Sequence, residues 1–215
     1  MKKILSENDR NRLNGRIKDA EKRTDSQIVL AAIQRCDSYA ELPWKAFALG
    51  AALAGLLMLI PDFPVYAWSL RFMMFLTAGV IMAGGAFFAL LAVICPAFAR
   101  CFLSVNRAET EVRQYADSMF LSRELFATKH RTGILLLVSL FERLVIVLPD
   151  NGLNHRLKAE NLQELIAAMT LRLKQKNVSG ALEAGLDKLV PLLETGSGSA
   201  EGNELSDEII EEKGV

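Results

Sequence analysis

The sequence predicts an α/β domain with a mixed sheet, interrupted by a transmembrane helical hairpin. Three observations carry this expectation. Residues 46–99 hold only two charges, Asp62 and Arg71, among 54 residues, and about 78% of that stretch is hydrophobic, whereas the rest has a soluble composition. One short apolar run of strand character precedes this stretch and two follow it. Helical periodicity brackets all three runs.

Residues 6–23 read as an amphipathic helix: Ser6 caps it, Glu7 and Asp9 suit its first turn, and Leu13, Ile17 and Ala20 share a face. Thr24-Asp25-Ser26 break it. Residues 27–35 form a continuous apolar run with polar borders, which predicts a buried strand. Beyond the apolar stretch, residues 107–126 predict a helix with Val112, Tyr115, Met119 and Phe120 on one side. Strands are expected at 133–140 and 144–148, and Phe141-Glu142-Arg143 leave room only for a tight antiparallel turn. Asp150-Asn151-Gly152 supply turn chemistry, and helices follow near 158–176 and 179–193. A single strand before the insert is no domain by itself, so it must pair with the later strands, parallel to the first of them through a crossover. The expected boundaries are 1–43 and 100–194 for the divided domain, 44–99 for the hairpin, and 195–215 for a tail.

Within the hairpin, Pro61-Asp62-Phe63-Pro64 mark a turn. Residues 72–99 carry no charge and exceed the roughly 20 residues a span needs, with Pro96 as an early stop. The first segment is shorter and draws on Trp44, Phe63 and Val65, with Lys45 reaching outward. Trp44, Phe47, Tyr66, Trp68, Phe98 and Phe102 fall at the two interfaces. Ala46, Gly50 and Ala54, beside Ala51 and Gly55, offer a close-packing stripe, with Gly79 and Ala83 as its partner. Basic residues crowd both outer flanks while the loop holds Arg71 against Asp62, so the positive-inside rule places both termini in the cytoplasm. The polar stretch after Lys2-Lys3 predicts no signal peptide. The expected location is a bacterial inner (plasma) membrane, crossed twice.

The overall charge is zero, 25 cations against 25 acids, which excludes a globally basic nucleic-acid binder. It is a cancellation. Residues 195–215 hold six acids and one lysine after a Gly/Ser stretch, reading as a disordered acidic tail in which 206–212 can form one helical turn on a basic partner. The remainder is net +5, so anionic lipid is the expected acidic partner. Three scattered cysteines do not make a disulfide framework.

The soluble parts resemble the TPM domain family, known from thylakoid-lumen photosystem-repair proteins and bacterial membrane proteins. The likeness lies in Thr24-Asp25-Ser26-Gln27-Ile28-Val29-Leu30 and in Arg131-Thr132-Gly133-Ile134-Leu135-Leu136-Leu137-Val138, closed by the Glu142-Arg143 turn. It extends over most of 6–193 outside the hairpin, and some bacterial members carry a two-helix insertion after a segment like Asp37-Ser38-Tyr39. The resemblance implies a three-layer α/β/α fold. It also implies acid phosphatase activity and divalent-cation binding for some members, and assembly or repair of membrane complexes for others. Many members have Gly-Tyr-Gly-Leu-Glu-Gly after the third strand. Here Pro149-Asp150-Asn151-Gly152-Leu153-Asn154-His155-Arg156 keeps only the Gly-Leu pair, without the acid.

Two clusters carry candidate chemistry. Asp150, His155 and His130, beside Lys129, Arg131 and Arg156, are the candidate catalytic residues: histidines and cations recognise a phosphate, and a carboxylate serves as base or ligand. The plainer reading is a turn with solvated histidines. Asp37, Glu142, Asp150 and Asn151 are candidate ligands for a divalent cation, Ca or Mg, although hard cations want more oxygens than either end gathers. No other cofactor is expected, and no P-loop, Gly-x-Gly-x-x-Gly, His-Glu-x-x-His or Gly-x-Ser-x-Gly occurs. The expected function is a membrane-anchored interaction, assembly or quality-control module for membrane protein complexes, without catalysis. The alternative is a divalent-metal-dependent phosphatase or hydrolase acting on phosphoesters.

Overall fold

The computed structural model describes residues 4–59, 70–194 and 209–214. The expectations for Phe63, Val65, Tyr66, Trp68 and tail residues 195–208 lie outside the described residues. In chain order the elements are α1 (Glu7–Thr24), β1 (Gln27–Ile33), α2 (Glu41–Met58), α3 (Leu70–Ile94), α4 (Pro96–Arg100) and α5 (Val105–Ser122). There follow β2 (Gly133–Ser139), β3 (Leu144–Pro149), α6 (Ala159–Lys174), α7 (Val178–Leu193) and β4 (Ile210–Glu212). They form two compact units: Met1–Asp37 with Ala108–Val215, and Ser38–Arg107.

The first unit is the α/β fold. Ser6 Oγ accepts the Asp9 amide at 3.1 Å and starts α1, and Asp25 ends it in the left-handed region, its N–H donating to the Glu21 carbonyl. The sheet order is β3-β2-β1-β4. β1 runs parallel to β2, from Gln27 opposite Gly133 to Ile33 opposite Ser139, and β2 pairs antiparallel with β3. All seven residues of β1 and of β2 are buried, as a strand covered on both faces requires. Ile28, Leu30, Ile134, Leu136 and Val138 pack toward Leu13 and Ile17 of α1, Leu165 and Met169 of α6, and Leu186 and Leu189 of α7. The alternate residues Val29, Ala31, Ile33, Leu135 and Leu137 meet Val112, Ala116 and Met119 of α5. Helices on both faces make the three layers.

The tail expectation is corrected at its far end. Ile210–Glu212 is a fourth strand, parallel to β1 with Ala31 opposite Ile210, and not a helical turn. Without it the outer edge of β1 would present bare N–H and C=O groups, and two adjacent isoleucines are good strand formers with apolar surface to bury.

In the second unit, α2 and α3 are long and apolar enough to cross a membrane, and only 17% and 11% of their apolar stretches are buried. Leu56, Phe75, Phe87 and Leu90 stand exposed along them, unlike the residues of a soluble core helix. The two helices touch through glycine. A Cβ on Gly50 would fall 2.5 Å from the Gly84 carbonyl oxygen, and one on Gly84 would fall 2.8 Å from Ala54 Cβ. Gly79 has nothing within 4 Å of its Cβ position, so the expected partner groove is corrected to Gly84 and Gly85, the latter against the Phe47 ring. Pro96 ends the long helix, as expected, by opening α4 after Cys95.

Leu136→Ala is expected to destabilise the chain by about 2–5 kcal/mol, because its side chain is fully buried in the larger core. The exposed Leu171→Ala should stay within about 0.5 kcal/mol of wild type, both measured by denaturant unfolding of the detergent-solubilised chain.

Candidate functional site

The paired strands fix where each candidate residue sits. Asp150 lies just past the end of β3, beside the start of β2, and Glu142 lies in the turn after β2. Seven residues of β2 put these ends about 20 Å apart, so the candidate ligands do not form one site.

At the first end the chain enters β2 through Thr128–Thr132. Thr128 Oγ1 accepts the Thr132 amide at 3.0 Å, and Arg131 takes a left-handed φ of 55°. This turns the guanidinium onto Asp150. Arg131 Nε donates to Asp150 Oδ2 at 2.8 Å and Nη2 donates to Oδ1 at 2.9 Å. The Asn151 amide donates to the same Oδ1 at 2.7 Å, and the Gly152 amide donates to the Arg131 carbonyl at 2.9 Å. Gly152 must be glycine here, since a Cβ would fall 2.2 Å from the His130 carbonyl oxygen. Asp150 is 5% exposed, while His130 and His155 are exposed at the surface. The structure thus brings Asp150 together with Arg131 and Asn151, and the carboxylate spends three of its roughly four acceptor sites on them.

Burial alone would raise the Asp150 carboxyl. The hydrogen bonds from Arg131 and Asn151 and the guanidinium charge outweigh it and hold the group below its ordinary value. The same pairing raises Arg131.

At the other end Glu142 caps two elements. Its Oε1 accepts the Cys36 amide at 3.0 Å, and the Ser139 hydroxyl donates to Oε2. Arg35 lies 4.6 Å from the centroid of the Phe141 ring, a cation–π contact between the exit of β1 and the same turn. Cys36 is buried, and burial together with the Glu142 charge pushes its thiol up to about 12. Such a thiol is a packed apolar group and not a nucleophile.

Two of the candidate cation ligands already have protein partners. Hard cations take six or more oxygens, whereas the Asp150 and Glu142 carboxylates are committed to protein hydrogen bonds. Among the described residues no three His, Cys, Asp or Glu side chains gather closely enough to hold a metal ion.

Sequence reasoning missed a third cluster, on β4. Tyr115 donates to Glu212 Oε2, and burial and that bond raise the Tyr115 hydroxyl, so it stays a donor. Arg123 lies 3.7 Å from Glu212, and Arg10 lies 3.4 Å from Glu211. The signal was the Ile209-Ile210 pair inside an otherwise acidic stretch.

Comparison with known proteins follows from this fold. Residues 101–192 match the TPM domain. The TPM match takes in all of α5, then β2, β3, α6 and nearly all of α7, while α1 and β1 precede it. The fold is also similar to the NMR structure of the BA42 protein from the psychrophilic bacterium Bizionia argentinensis, at 14% identity and a TM-score of 0.58, over 98% of this chain and 97% of that one. No curated protein matches the chain.

Asp150→Ala is expected to cost about 1–3 kcal/mol at pH 7, from the lost hydrogen bonds of a buried carboxylate, while the half-exposed guanidinium regains water. The folded carboxyl titrates below its unfolded value of about 3.9, so the pair's contribution is complete above that value and disappears as pH falls through the folded one. The stability gap between wild type and variant should therefore narrow as the solution is made more acid, as read by urea unfolding at pH 7 and at successively lower pH. Cys36 should resist alkylation at pH 8 in the folded chain and react only after denaturation, as read by mass spectrometry of its peptide.

Proposed function

We propose that the chain is a membrane-anchored, TPM-type interaction module that serves assembly or quality control of membrane protein complexes and performs no catalysis. The bracing of Asp150 carries this reading. A general base or metal ligand needs a lone pair facing its substrate, and this carboxylate turns its lone pairs inward, onto Arg131 and Asn151. Glu142 is spent in the same manner at the opposite end.

The anchoring part of the proposal rests on α2 and α3, whose lengths, apolar composition and exposed faces suit a bilayer. Basic flanks at Arg35, Lys45, Arg100 and Arg107 support both termini in the cytoplasm of a bacterial inner membrane. The same flanks suit anionic headgroups as a second partner.

Photo-crosslinking of the full chain in native membranes should recover a discrete membrane-protein partner. The purified full chain should show no turnover of a generic phosphoester with Mg or Ca present. Chelator-sensitive turnover that falls in His155→Ala would overturn the non-catalytic reading, because this exposed side chain is mutable without loss of the fold.

A further inference from the structure

The outer edge of β1 is closed by a segment that is recognised nearly residue by residue. Strand alternation sends Ile209 and Glu211 to the face of α1 and sends Ile210 and Glu212 to the face of α5. Ile209 is 1% exposed and Ile210 is 6% exposed, each in a different core. Glu211 Oε2 accepts the backbone amides of Ile4 and Leu5 at 3.1 and 3.4 Å, with Arg10 on its other oxygen. Glu212 accepts from the Tyr115 hydroxyl and faces Arg123, while its carbonyl accepts the Gln34 amide at 3.2 Å. Gly214 has a φ of 74°, and a Cβ there would fall 1.5 Å from the Arg35 carbonyl oxygen. Only glycine fits that position.

The hold is specific but short. β4 pairs three residues with β1, where β2 pairs seven. The connection to α7 runs through residues 195–208, whose sequence holds Gly196, Gly198 and Gly202 with Ser197, Ser199 and Ser206. A connection of this length holds the strand at an effective concentration set by its sequence composition and span. An edge that binds one extended segment through backbone pairing and alternate side-chain pockets has the properties of a β-addition site.

The geometry points to a strand-docking slot on the β1 edge that takes an extended segment of pattern Ile-Ile-Glu-Glu-x-Gly parallel to β1. The chain's own residues 209–214 are its resident occupant, and a partner protein's segment of the same chemistry displaces them. Its purpose rests on the interaction-module reading, whereas the slot itself is tested with a peptide and no membrane partner.

The probe is a fluorescent synthetic peptide of residues 204–215, titrated onto the full detergent-solubilised chain. In the full chain carrying Glu211→Lys and Glu212→Lys, Arg10 and Arg123 repel the resident strand and the slot opens. The peptide should bind this variant at least about tenfold more tightly than wild type, and the Gly214→Ala variant should show the same gain. A peptide carrying the two lysines should not bind. Equal binding of the native peptide to all chains, or none while β2 amides remain protected, would overturn the slot. If a variant unfolds, hydrogen exchange of the unmodified chain decides. The Gln34 amide, bonded to β4, should exchange at least about tenfold faster than the Leu140 amide, bonded to Ile33. Equal exchange would show a strand that never leaves and would overturn displacement.

Discussion

The parallel pairing of β1 with β2 is the constraint on which the α/β unit depends. Seven buried residues in β1 have no stable conformation without a neighbour, and their partner lies far along the chain, Ile28 opposite Ile134. Closing that loop costs about 1 kcal/mol more than closing an ordinary crossover of about 30 residues, by the logarithmic dependence on length. Packing of α2 on α3 through Gly50 and Gly84 shortens the flexible part of the insert and recovers some of that cost. Register is fixed because both faces are filled. A slip of one residue would exchange Ile28 and Leu30 with Val29 and Ala31 between two cores of different shape.

From that pairing follows the placement of Asp150 and Glu142, two of the three candidate carboxylates. The antiparallel step from β2 to β3 returns Asp150 to the entry of β2, where Arg131 approaches in a left-handed conformation. Glu142 sits where β1 ends and β2 turns, and it satisfies the Cys36 amide that the strand leaves behind. Each acid closes a junction between strands. A carboxylate that closes such a junction loses water, and its hydrogen bonds to the protein offset that loss.

How much was legible follows the same line. Local signals were read well: Ser6 as the cap of α1, the apolar run of β1, and Pro96 as the break after α3. Asp150 and Arg131 were placed in one cluster, but their bidentate pairing depends on the register of β2 against β3, which no local pattern records. Gly79 was preferred to Gly84 because four-residue spacing identifies a stripe and leaves open how the helix rotates about its axis. β4 was missed because a composition reading averages over a window, and two isoleucines vanish among six acids.

That last case alters the meaning of the acidic end. A solubilising tail has no reason to place two isoleucines at 1% and 6% exposure, nor a glycine where a Cβ would overlap a carbonyl oxygen. Glu211 and Glu212 are not unmatched charge either, since Arg10 and Arg123 answer them from opposite faces of the sheet. Of the six acids beyond residue 194, these two belong to the fold and four belong to the connection at 195–208. The net charge of zero therefore averages three things: a basic body, an acidic connection, and a terminal segment whose acids are locally matched. An edge closed by the chain's own β4 avoids edge-to-edge aggregation, and a closure of only three paired residues leaves that edge within reach of a competing strand.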